Sequence, residues 1–136
     1  MNTKKVLLSG IAGGIVYFLL GWLIYGILLM DYMSANSSPG VMKSEDQMVW
    51  WALIASNLIY GILISYLLNA VGNITSSSKG ATIAATTGLL VAAGFDLGLY
   101  ATSNVSTLNA LVVDIAAITV MSSIAGVIIV MESKKL

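Results

Sequence analysis

Polar and apolar positions alternate along this chain on the scale of whole segments rather than single residues. Four long apolar runs cover about Val6 to Met30, Met48 to Val71, Gly80 to Thr102 and Leu108 to Met131, with short polar stretches between them. Each run exceeds the roughly 20 residues that an α-helix needs to cross about 30 Å of hydrocarbon. A membrane-spanning strand needs only about 9–11 residues and alternates in polarity. These runs do neither. The pattern predicts an all-α chain: a four-helix transmembrane bundle forming a single domain over residues 1–136.

The connections sharpen that expectation. Asp31 to Gln47 is the longest polar stretch and holds Pro39, the only proline. Asn73 to Lys79 is a short Ser-rich turn, and Ser103 to Thr107 is shorter still. Tight connections favour antiparallel neighbours, which predicts up-down-up-down order. Lys4 and Lys5 resemble the charged start of a signal peptide. The apolar run after them is longer than the ~7–15 residues of a signal core, so it reads as a retained helix.

Lysine placement predicts orientation. Lys4, Lys5, Lys79, Lys134 and Lys135 fall on one side of a four-span chain, and only Lys43 falls on the other. The lysine-rich side is expected in the cytoplasm, with both termini, at a cell inner (plasma) membrane. Trp50 and Trp51 then open the second helix at the outer interface, where aromatic residues anchor.

Composition supports lipid as the solvent. Hydrophobic residues make up 58% of the chain and charged residues 9%, and mean hydropathy is +0.95. A soluble domain carries about 25% charged residues. There are 6 Lys, 6 acidic residues and no Arg, for a net charge of zero, which gives nucleic acid no electrostatic footing. The absence of Cys and His removes disulfides, thiolate nucleophiles, the usual metal ligands and the commonest general base. No metal and no cofactor is expected.

Helices in lipid associate through close packing and hydrogen bonds, because the tails are as apolar as Leu. Small residues are spaced for this. Gly10 and Gly14 form a GxxxG pair, followed by Gly21. The third run carries Gly80, Ala84, Gly88 and Ala92 at four-residue steps, then Gly94 and Gly98. The fourth carries Ser122 and Gly126. These faces are expected to pack within the chain, with a second copy or a partner membrane protein as the other candidate. The second run holds Asn57, Gly61, Ser65 and Asn69 at four-residue steps. An amide facing hydrocarbon goes unsatisfied, so this line is expected to face the bundle interior as interhelical hydrogen bonding.

Asp96 and Asp114 carry the most information. Each lies about six residues from the expected outer end of its run, roughly 9 Å deep at 1.5 Å per residue. They are expected buried, at matching depth on adjacent helices. A carboxylate there costs about 2.5–3.5 kcal/mol on insertion scales. No Arg exists and no Lys is expected at that depth, so one proton shared between them is plausible. Tyr100, Asn57, Trp22 and Tyr25 are candidate hydrogen-bond partners. With Tyr60 they outline a proton or ligand site, unless the acids only hydrogen-bond their neighbours.

The run Gly21-Trp22-Leu23-Ile24-Tyr25-Gly26, followed by Leu28, Leu29 and Met30, resembles the G-x-x-W-Y end of the first helix in small bacterial membrane proteins of domain-of-unknown-function family 1761. Helix count and a longer loop after the first helix are similar too. Here Trp and Tyr are separated by two residues instead of adjacent, and the likeness covers one helix. It implies a bacterial inner-membrane protein of uncharacterised activity and carries over no catalytic residue.

An enzyme fits worst, since no cationic clamp accompanies the two acids. The expected role is a non-catalytic accessory, assembly or ligand-binding membrane protein in contact with the bilayer. The alternative is a small oligomeric transporter moving a cation or proton-coupled solute past Asp96 and Asp114. Small multidrug-type exporters also pair four helices with an embedded acid, but theirs lies in the first helix, which here lacks one.

Overall fold

The computed structural model describes residues 2–136. Helix α1 spans Thr3–Leu23, and Asn2 caps it by accepting the Lys5 amide at 3.1 Å. The helix widens into a π-helical turn over Ile24–Leu28 and breaks at Leu29. A short helix, α2, covers Met30–Ala35 within the stretch expected to be loop. Helix α3 runs over Trp50–Ser65 and also ends in a π-helical turn, Tyr66–Val71. Helix α4 spans Ser77–Thr102 and α5 spans Leu108–Ser133. Among the described residues there is no strand, only an isolated antiparallel bridge between Ser37 and Ser106.

Helix α4 starts ahead of the expected Gly80 because Ser76 caps it, accepting the Lys79 amide at 3.4 Å. A polar cap lies outside any apolar run, so hydropathy cannot register it. Thr3–Leu28, Trp50–Val71, Ser77–Thr102 and Leu108–Ser133 are each long and apolar enough to cross a membrane.

The four long helices pack in the order α3, α1, α5, α4. Small residues set the first and last contacts. A Cβ on Gly61 would overlap the Gly10 carbonyl oxygen and the Gly14 backbone, so α1 and α3 touch main chain to main chain. Gly80, Ala84, Gly88 and Ala92 are all buried. Gly80 meets Val130 and Gly126, and Gly88 meets Ser122. Between α1 and α5, Gly13 accommodates the Ile129 side chain. The apolar core gathers Tyr17, Ile64, Leu68, Met121, Ala125, Ile129 and Val130 at the centre of this row.

Gly94 and Gly98 were expected on a packed face, yet nothing lies within 4 Å of a Cβ at either. The reason is angular. The contact line steps by four residues to Ala92, and two residues further on lies roughly 200° around the helix, on its opposite side. Gly21 meets only the Met121 methyl, at an ordinary 3.6 Å.

Hydrogen bonds stitch the same interfaces. Ser9 and Ser65 share one at 2.8 Å, Ser65 also donates to the Val6 carbonyl at 2.7 Å, and the Asn69 amide donates to both hydroxyls at 3.1 Å. The Tyr17 hydroxyl donates to Ser122 at 2.6 Å, linking α1 to α5.

Candidate functional site

Helices α3 and α4 pack on the middle pair and barely on each other. They approach where the Tyr66–Val71 turn touches α4 and α5. Towards their other ends they leave a cleft of about 790 Å³, floored by α1 and α5. Tyr17, Ile64, Met121 and Ser122 close its deep end. Most of its wall is apolar side chain.

Of the residues singled out in the sequence, the cleft brings together Trp22, Tyr25, Asn57, Tyr60, Asp96 and Asp114. Tyr25 is the second residue of the Ile24–Leu28 turn, a geometry that recurs at functional sites. Its hydroxyl donates to Asp114 Oδ1 at 2.5 Å. Asp96 on α4 and Asp114 on α5 line the same cleft. Asp96 Oδ2 is shielded from solvent and has no hydrogen-bond partner. Tyr60 packs against Tyr17 with ring centroids 6.0 Å apart and planes tilted by 42°.

Three expectations need correction. Asp96 and Asp114 are not buried residues: both are half-buried in the cleft wall. Their depth along the helices invited the burial reading, but the gap between α3 and α4 opens that level to the surface. Tyr100 is 47% exposed and lies off the cleft wall, so it takes no part in the cluster. Asn57 does not bridge helices: its amide donates to the Leu53 carbonyl of its own helix at 2.9 Å. Gly61, Ser65 and Asn69 of the same stripe do meet α1.

Sequence reasoning missed the mouth of the cleft. Met42, Lys43, Ser44, Glu45 and Met48 of the long connection line it. That connection is tied down near its start. The Ser38 amide donates to the Val105 carbonyl at 2.8 Å, and the Thr107 amide donates to the Asn36 carbonyl at 2.9 Å. No periodicity marks such a loop-to-loop tie. Ser9 and Tyr17 were also missed, although Ser9, Gly13 and Tyr17 follow four-residue steps that put them on one face of α1.

Among the described residues, no three His, Cys, Asp or Glu side chains gather as metal ligands. The one ion pair among them is Lys135 with Glu132 at 3.2 Å, far along the chain from the cleft. The cleft therefore presents acceptors without a paired cation, set in an apolar and aromatic wall. No known protein family, curated protein or solved structure matches the chain.

Proposed function

We propose that this chain is a multi-pass membrane protein that binds a small amphipathic ligand in the cleft between α3 and α4 without transforming it. The cleft carries the reading. Its volume of about 790 Å³ falls within the ~300–1,000 Å³ of small-molecule sites, and its apolar wall with a few convergent polar groups is their usual make-up. The non-catalytic part rests on chemistry: no His, Cys or Arg is available to activate or clamp a reacting group.

The topology belongs to the same proposal. Gly10 meets Ile62 while Gly14 meets Leu58, and Gly80 meets Val130 while Gly88 meets Ser122. Residue numbers rise on one helix as they fall on the other, which supports up-down-up-down order. The five lysines at the termini and the α3–α4 connection support cytoplasmic termini in a plasma (inner) membrane. The cleft mouth then lies towards the outer face.

The test is binding to the purified chain in nanodiscs. Ser56 is exposed and lines the cleft, so Ser56→Trp fills the space without touching the packed interfaces. A panel of cationic, neutral and anionic amphiphiles is screened by tryptophan fluorescence and thermal unfolding. Saturable binding that Ser56→Trp abolishes supports the reading, and binding that ignores it refutes it. Solute flux into vesicles that is lost in both Asp96→Asn and Asp114→Asn would replace it with transport.

A further inference from the structure

The charges of the cleft do not balance. Lys43 and Glu45 at the mouth offset each other, leaving Asp96 and Asp114 without a counter-ion. The site is therefore acidic, with no cation paired to either carboxyl. Aromatic side chains line the same cleft: Trp22 from α1, Tyr25 from the turn after it, Tyr60 from α3, and Phe95 next to Asp96 on α4. Aromatic faces attract cations held within about 6 Å of the ring. Phe95 is 69% and Tyr60 45% exposed, so two of these rings are open to an arriving ligand instead of filling a core.

Resting on the cleft reading, we infer that its ligand is a lipophilic cation, with its charge against the Asp96 and Asp114 carboxyls and its apolar body along α3 and α4. Charge complementarity selects this occupant. An anion would meet two carboxyls in a poorly screened setting. A zwitterionic bilayer lipid would bring its phosphate, covalently close to its ammonium, beside the same carboxyls. A small hydrated metal ion would leave the aromatic and aliphatic wall unused. A lipophilic amine or quaternary cation satisfies the acid pair and covers apolar surface together.

Three probes of similar bulk make the test: tetraphenylphosphonium, tetraphenylborate and neutral triphenylphosphine oxide. Each is titrated against the full chain in nanodiscs and followed by tryptophan fluorescence. Wild type is compared with Asp96→Asn, Asp114→Asn and Ser56→Trp, and thermal unfolding verifies that each variant is folded. Comparing variants within one probe cancels its partition into lipid.

The inference predicts saturable phosphonium binding, weakened at least about tenfold by Asp96→Asn, a loss of ~1.4 kcal/mol or more. Neutral-probe binding should be unchanged by that substitution. Asp114→Asn provides the same comparison if Asp96→Asn does not fold. Phosphonium binding that is equal in wild type and both Asn variants overturns the inference. So does borate binding as tightly as phosphonium, or competition by phosphatidylcholine at one lipid per site. In those cases, loss of probe binding in Ser56→Trp still leaves a cleft that binds, with the charge class wrong. If no probe saturates, the cleft reading falls as well.

Discussion

Gly61 and Gly98 look alike in the sequence, each a glycine within a long apolar run, yet they stand in opposite surroundings. A Cβ at Gly61 runs into the backbone of Gly10 and Gly14, whereas Gly98 faces open space. Gly61→Ala should therefore destabilise at the top of the overpacking range, about 3 kcal/mol, because main chain cannot turn aside as a side chain can. Gly98→Ala should be neutral or gain up to ~1 kcal/mol from helix propensity. Reversible unfolding in mixed micelles reads both. Tyr25→Phe removes the donor to Asp114 Oδ1 and should lose about 1 kcal/mol by the same assay, in keeping with hydrogen bonds between membrane helices. Small residues and membrane-level acids were legible because their cost in lipid demands a reason wherever they occur. Which glycine touches what was not legible, since four-residue spacing fixes a shared face but not the helix opposite it.

At the scale of elements, hydropathy located the long helices and missed what polar atoms build. The cap at Ser76, the helix α2 and the two π-helical turns leave no mark on an apolar run. Thr107 shows how much one polar residue can hold. Its hydroxyl accepts the Ala110 amide at 3.2 Å to cap α5 and donates to Asn36 Oδ1 at 3.0 Å. Thr107→Ala should cost about 1–2 kcal/mol, the range for a lost helix cap. It should also speed amide exchange at Ser38, whose carbonyl partner Val105 lies in the same connection. Equal exchange in wild type and variant would show that the loop is held by other means. Because residues 36–38 anchor the long connection, its later part, with Lys43 and Glu45, reaches the cleft mouth.

The arrangement of the whole molecule was the least legible level. In a soluble bundle, an apolar stripe against a polar face tells which side is inward. Here lipid-facing and core-facing positions are equally apolar: Leu19 is 55% exposed and Leu90 66%, while Leu68 and Ile129 are fully buried. The order α3, α1, α5, α4 could not be deduced, and with it the opening that exposes Asp96 and Asp114. The topology in the bilayer, by contrast, is predicted from lysines alone. A phosphatase fused after Lys135 should be inactive and a fluorescent protein there bright, and the reverse pair of results would invert the orientation.

The central claim is that α3 and α4 stand apart beside the two aspartates. Because the chain has no native cysteine, oxidative cross-linking in native membranes tests this directly. The cleft-lining pair Ser56→Cys and Val91→Cys is compared with Ser9→Cys and Ser65→Cys, whose native hydroxyls lie 2.8 Å apart. A disulfide needs Cα atoms within about 7 Å. The account predicts rapid bridging of the second pair and none of the first. Equally fast bridging across Ser56 and Val91 would mean that the helices close on each other, and would contradict it.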